Sequence, residues 1–167
     1  KELTPFGRDW VSGLDTQEVG AVRHYVGSPN SFYINSALRG TESGRPLNVK
    51  NRNAVKRLTT ALDKASFPKD AVAYRRVAAN RFPDLQPGAV FRDDGFVSTS
   101  MSKQWAGTFT KRGQIEVRIP QKSKATYIPQ ELSTIKFPEY EVLIQRGSSF
   151  RVVERSGDFS MVVELLQ

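Results

Sequence analysis

Two hydrophobic patterns divide the chain. Up to Ser66 the apolar positions suit helices; beyond Ala71 they suit strands. Asp15-Thr16-Gln17-Glu18 has the form of a capping box with Asp15 as the cap, and predicts a helix to about Tyr25, where Gly27-Ser28-Pro29 stops it. A second short helix is expected over Phe32 to Leu38, ended by Gly40. The polar stretch from Thr41 to Asn48, with Gly44 and Pro46, reads as a loop. From Asn51 to Ser66, Val55, Leu58, Leu62 and Ala65 recur at spacings of three and four, which predicts an amphipathic helix that Pro68 terminates.

The second half is cut into short blocks by Gly and Pro. Strands are expected at Ala71–Val77, Ala89–Arg92, Gly95–Ser100, Gln114–Ile119, Ala125–Ile128, Tyr140–Ile144, Ser149–Val153 and Phe159–Leu166, with one or two helical turns between Lys103 and Phe109. Helices first and strands afterwards indicate an α+β fold. The expected architecture is an N-terminal helical lobe, about 1–67, packed on a mostly antiparallel two-sheet β core, about 70–167. With no internal repeat and no linker, residues 1–167 read as one domain.

Composition narrows the chemistry. The chain has no cysteine, which removes disulfides, thiol catalysis and cysteine-based metal sites, and its single histidine, His24, cannot build a histidine-rich metal centre. No metal is expected, and His24 is expected on an ordinary helix surface. No apolar run approaches a membrane span and no signal peptide is visible. The start at Lys1 instead of Met predicts an excised or processed domain. The net charge of +8 favours anionic partners, such as phosphate-bearing ligands, nucleic acid or an acidic protein face. The basic residues are scattered, however, and no basic-aromatic repeat marks a dedicated nucleic-acid binder. The basic stretch Lys50 to Arg57 reads as a solvated helix face.

Glu139-Tyr140-Glu141 stands apart. On an extended strand the two carboxylates share a face, roughly 7 Å apart, while Tyr140, Val142 and Ile144 turn towards a core. Like charges on one face give a sheet no structural gain. A cation, or a reaction that develops positive charge, would give them a use. Ahead of this pair, in order, stand Tyr74-Arg75-Arg76 and Phe96-Val97-Ser98-Thr99-Ser100. Each alone is as well explained by a surface arginine or a satisfied strand edge.

As an ordered set, with Ile34-Asn35-x-x-Leu38-Arg39, Ala61-Leu62-Asp63-Lys64-Ala65, Phe109-x-x-Arg112 and Gly147-Ser148-Ser149-Phe150-Arg151-Val152, they resemble the Arg-Ser-Glu class of mono-ADP-ribosyltransferases. That class includes the clostridial binary actin-modifying toxins and related bacterial effectors, and the likeness runs from about Ala21 to Val153. It implies an enzyme that transfers ADP-ribose from NAD, as co-substrate, to an arginine of a target protein, with release of nicotinamide and some side hydrolysis of NAD.

The resemblance also implies roles. Arg75 and Arg112 would meet the phosphates or the adjoining ribose, and Arg76 would add a backbone contact to nicotinamide. Phe109 would pack beside the nicotinamide, and Ser98 would orient Glu141. Glu141 would hold the ribose 2′-hydroxyl and favour the oxocarbenium-like sugar, and Glu139 would orient and deprotonate the acceptor arginine. Tyr25 is either a cofactor contact or ordinary packing; Phe32 and Tyr33 both lie near a second such place. The loop Ser133 to Pro138 departs from the Gly-rich, tyrosine-bearing form of the actin-modifying toxins, which leaves actin one possible target among host proteins.

The absence of cysteine favours a bacterial or phage protein over the disulfide-bearing vertebrate relatives. The expected setting is a secreted or translocated effector acting in a target-cell cytosol, with a possible delivery or immunity partner and no membrane. Two other readings are an enzyme or binder directed at nucleic acid, which the charge suggests, and a catalytically silent, partner-binding copy of the fold. Silent copies usually lose the glutamate pair, which is intact here.

Overall fold

The computed structural model describes residues 2–26, 29–41, 45–77, 82, 84–104, 113–133, 140–158 and 160–167. Four helices come first: α1 (Thr4–Ser12), α2 (Thr16–Tyr25), α3 (Asn30–Arg39) and α4 (Val49–Asp63). Eight strands follow: β1 (Ala71–Arg75), β2 (Val90–Asp93), β3 (Val97–Ser100), β4 (Gln114–Ile119), β5 (Ala125–Tyr127), β6 (Glu141–Ile144), β7 (Ser148–Ser156) and β8 (Ser160–Leu165).

The local chemistry explains the helix boundaries. Asp15 accepts a hydrogen bond from the Glu18 amide at 2.7 Å and starts α2 as the capping box predicts. Gly40, at φ 65°, closes α3 in the left-handed conformation that glycine adopts without strain. Asn48 caps α4, which ends at Asp63, well before Pro68; Lys64 closes it. Lys50, Arg52, Lys56 and Arg57 are solvated as expected.

The sequence reading passed over α1. Its Pro5 lies in the first turn, where the missing N–H costs nothing. Its Trp10 is buried, and the indole Nε1 donates to the Ala61 carbonyl at 2.8 Å.

The strands form one sheet in the order β2-β7-β8-β4-β1-β3-β6-β5, in which only β4–β8 is parallel. The expected two sheets are thus a single one: β1 pairs with β4 on one side and with β3 on the other, the latter through Tyr74 and Ser100. The sheet must nevertheless curl. β6 and β7 lie far apart in its order, yet only residues 145–147 connect them. The curl closes one apolar core inside the sheet, including Val97, Val142, Ile144, Phe150, Val152 and Val163. A second core joins the helices to the outer face of β3 and β6 through Tyr25, Ile34, Leu58, Leu62, Phe96 and Leu143.

His24 departs from the simple expectation. It lies on α2 but is half-buried, with Nε2 2.8 Å from Asn51 Oδ1 and Nδ1 3.3 Å from Asn30 Nδ2, so it ties α2 to α4 and α3.

Two glycines separate space from propensity. A Cβ at Gly7 would overlap the Tyr127 backbone carbonyl, where α1 crosses β5, whereas a Cβ at Gly20, inside α2, meets nothing within 4 Å. Gly7→Ala is expected to destabilise the fold by about 1–3 kcal/mol through overpacking. Gly20→Ala is expected to stabilise it by about 0.5–1 kcal/mol through helix propensity. Opposite shifts in urea midpoint check the pair.

Candidate active site

The pairing of β3 with β6 places the central groups. Ser100 lies opposite Glu141 and Ser98 opposite Leu143, so Ser98, Ser100 and Glu141 share one face, the face that meets the helical lobe. Thr99 turns the other way and donates to the Val142 carbonyl at 2.8 Å. Ser98 is exposed and Glu141 is buried, at 7% exposure. Across the diagonal the Ser98 Oγ donates to Glu141 Oε1 at 2.7 Å. The exposed serine hydroxyl thus fixes one oxygen of a buried carboxylate.

Tyr140 does not take the strand position expected of it. β6 begins at Glu141, and Tyr140 is 41% exposed with φ 49°. Tyr140 therefore does not join the core. Its left-handed backbone breaks the period-two pattern, and its carbonyl accepts from the Met101 amide at 2.9 Å. All four residues of β6 are buried, because helices cover one face and the curled sheet the other.

Tyr25 lies on the helical-lobe side, packed against Phe96. Its ring is buried and meets Phe96 edge-on at 5.4 Å, and its hydroxyl accepts from Asn35 Nδ2 at 2.7 Å. Asn35 Oδ1 accepts from the Phe96 amide at 3.0 Å, so one side chain links α3, the tyrosine and the approach to β3. Burial, and then the negative charge of Glu141, raise the Tyr25 pKa far above the ordinary phenol value, with Arg39 and Arg75 opposing. Tyr25 is thus within electrostatic reach of both Glu141 and Arg75.

Arg75 ends β1 with its side chain 25% exposed, and its Nη1 lies 3.5 Å from Asp93 Oδ2. Burial, then the neighbouring charge of Arg39, lower its pKa; Asp93 and Tyr25 counter this. Arg39 reaches the same carboxylate from the end of α3, Nε to Oδ1 at 2.8 Å and Nη2 to Oδ2 at 3.2 Å. Arg76 is half-buried, with Nε and Nη1 buried and without hydrogen-bond partners, a costly state for a guanidinium.

The structure therefore brings Ser98 and Glu141 into contact, leaves Tyr25 within the electrostatic influence of Glu141, and places Arg75 in an arginine–aspartate cluster. Glu139, Phe109 and Arg112 lie outside the described residues, as do 105–109 of the expected helical turns. Sequence reasoning missed Asp93 and the local role of Asn35. Asn35 and Arg39 were legible only as parts of a motif, and Asp93 only as one of two acids in a turn. Among the described residues no group of three His, Cys, Asp or Glu side chains could hold a metal, and no helix is long and apolar enough to cross a membrane.

Comparison with known proteins identifies the family and the fold. The family model described as ADP-ribosyltransferase exoenzyme matches residues 7–164. The chain belongs to the ADP-ribosyltransferase exoenzyme family. A curated relative, the NAD(+)–arginine ADP-ribosyltransferase EFV of Enterococcus faecalis, is 29% identical over 150 residues, 86% of this chain. The match spans only 30% of that relative's length. Two solved exoenzymes share the fold. C3stau2 from S. aureus, solved with NAD, has a TM-score of 0.77 at 18% identity, covering 99% of this chain and 95% of that one. BECa, the ADP-ribosylating toxin of a C. perfringens binary enterotoxin, solved with NADH, has a TM-score of 0.76 at 19% identity, covering 99% of this chain and 48% of that one.

The buried tyrosine of this exoenzyme domain gives a pH prediction. Tyr25 stays protonated in the folded state while an unfolded tyrosine ionises near pH 10. Above about pH 10 the unfolded state then binds fewer protons than the folded one, so Tyr25 contributes a loss of stability as pH rises. Urea unfolding between pH 8 and 11 should show a shallower alkaline decline in Tyr25→Phe than in the wild type.

Proposed function

We propose that this domain transfers ADP-ribose from NAD⁺ to an arginine side chain of a protein. The observation that supports the reading best is the Ser98–Glu141 hydrogen bond, a carboxylate fixed by a hydroxyl at an exposed opening, within reach of the Tyr25 and Arg75 environment. The relative from Enterococcus faecalis carries arginine as acceptor in its name, and Glu139 fits that choice.

The reaction is a substitution at ribose C1′. The C–N bond to nicotinamide breaks and its electron pair leaves with nicotinamide, which becomes neutral. The sugar gains oxocarbenium character, and a preorganised carboxylate at the 2′-hydroxyl stabilises it more than it stabilises the ground state. Glu141 is assigned that task, with Ser98 holding it in one orientation. A guanidinium is a poor nucleophile until it loses a proton. Glu139 takes that proton as a guanidine nitrogen bonds to C1′, and later releases it to water. Arg75 and Arg112 meet the pyrophosphate or its ribose, Phe109 packs beside nicotinamide, and the Arg76 backbone contacts the amide. Tyr25 bounds the site from the helical lobe.

No metal enters the scheme. The partner is a protein with an accessible arginine, actin or another host protein. The working setting is a translocated bacterial effector in a target-cell cytosol, and a delivery or immunity partner is compatible with it.

The test is nicotinamide release from NAD⁺, together with transfer of labelled ADP-ribose to proteins of a host lysate. Glu141→Gln should lower both by roughly a hundredfold or more, as loss of one preorganised group does. Glu139→Gln should abolish transfer yet leave hydrolysis measurable, since water needs no guanidinium handling. A wild-type protein that neither releases nicotinamide nor labels any protein refutes the enzyme reading and favours the silent copy. Label found on nucleic acid and not on protein refutes the acceptor.

A further inference from the structure

We infer that Asp93 is the positioning residue that holds Arg75 and Arg39 as one convergent guanidinium pair for the co-substrate; this rests on the function proposed above. Asp93 uses both carboxylate oxygens. Oδ1 accepts from Arg39 Nε at 2.8 Å and from the Gly95 amide at 2.9 Å. Oδ2 accepts from Arg39 Nη2 at 3.2 Å and from Arg75 Nη1 at 3.5 Å. The three side chains come from the end of α3, the end of β1 and the end of β2, and all are largely buried, at 26%, 25% and 14% exposure for Arg39, Arg75 and Asp93.

A purely structural use explains this poorly. Two guanidinium groups stay protonated and repel each other, and a stabilising design would separate them or give each its own acid. Here one carboxylate serves both, so the cluster keeps a surplus positive charge beside the Ser98–Glu141 face.

Gly95 supplies an independent observation. Its φ lies outside the left-handed region, so the backbone does not require glycine there. A Cβ at that position would instead lie 2.7 Å from Arg39 Nε and 2.9 Å from Cζ. The turn between β2 and β3 lacks a side chain where the guanidinium lies, and the Phe96 carbonyl accepts from Arg39 Nη2 at 3.1 Å on the same surface.

Two consequences of Asp93 oppose each other for an anionic ligand. Its charge offsets the arginines and weakens attraction, while its hydrogen bonds fix where they point. Asp93→Asn removes the charge and replaces one accepting oxygen with an NH2 donor, so the two effects drive binding in opposite directions. If attraction dominates, Asp93→Asn binds NAD⁺ more tightly. The positioning role requires the reverse: kcat/KM for nicotinamide release falls at least tenfold, mostly through KM, because ground-state and transition-state binding are lost together.

Four variants make the test: Asp93→Asn, Arg39→Gln, their double mutant, and Gly95→Ala, which displaces Arg39 without changing charge. Asp94→Asn is the control, since Asp94 is exposed and, among the described residues, pairs with Arg92 at 3.1 Å. The double mutant should be no worse than the weaker of its two parents, the coupling expected of one unit. Gly95→Ala should follow Asp93→Asn in KM, and Asp94→Asn should match the wild type.

A second readout uses the protein without NAD⁺. The Arg39 Nε–H resonance, assigned by its absence from Arg39→Gln, should be slow to exchange in the wild type and lost or fast in Asp93→Asn. A KM unchanged or lowered in Asp93→Asn, additive losses in the double mutant, or an unaltered Arg39 resonance each overturns the inference. Should the wild type release no nicotinamide, the enzyme reading falls while the resonance still decides whether Asp93 holds the arginines.

Discussion

The register of β3 on β6 is the constraint on which the site depends. With Ser100 opposite Glu141, the Ser98 hydroxyl falls on the diagonal from the carboxylate and on the same face. A slip of β3 by one residue would turn Ser98 into the core inside the sheet and move Val97 to the helix-facing side. Both faces forbid it. Val97, Val142 and Ile144 are buried inside the curled sheet, and Phe96 and Leu143 are buried against the helices. The site thus takes its precision from apolar burial on two sides of one short ladder. Its chemistry adds little to the stability that holds it.

The curl of the sheet does the rest of the assembly. The three-residue link between β6 and β7 brings β2, an edge of the sheet order, back beside β3, and the Gly147 amide donates to the Asp93 carbonyl at 2.8 Å across that junction. Asp93 is thereby delivered to the end of β1 and the end of α3. Groups 18 and 54 residues from it in the chain become its partners.

The elements were legible where a local pattern specified them. The capping box at Asp15, Gly40 after α3 and the block Gln114–Ile119 each carry their own signal. Helix α1 carried its own too, a proline in its first turn with Leu3, Phe6 and Trp10 at spacings of three and four, but the reading passed over them. Tyr140 misled because it is a good strand former inside an alternating run; its left-handed backbone is set by the junction with Met101, which no local pattern encodes. Resemblance pointed to Ser98 and Glu141, and their contact needed only the strand pairing. Asp93 was invisible because both of its partners are distant in sequence and the adjacent Asp94 looks the same. The single sheet was hidden because its continuity rests on one pair, Tyr74 with Ser100.

One feature of the charge arrangement follows from all three levels. Glu141 and Arg75 both lie near Tyr25, close enough to influence it electrostatically, yet among the described residues no ion pair joins them. A direct pair would be the simplest way to satisfy two half-buried charges, and it would leave each unable to meet a ligand. Instead the Ser98 hydroxyl, a neutral donor, holds one oxygen of the acid, and Asp93 holds the guanidinium through a carboxylate shared with Arg39. The phenol of Tyr25, kept neutral by burial and tied to Asn35, adds no charge of its own. The acid stays oriented by its serine while the arginine cluster keeps its surplus for an anion. A dinucleotide with a pyrophosphate at one point and a labile glycosidic bond at another presents those two demands, and the separation suits it.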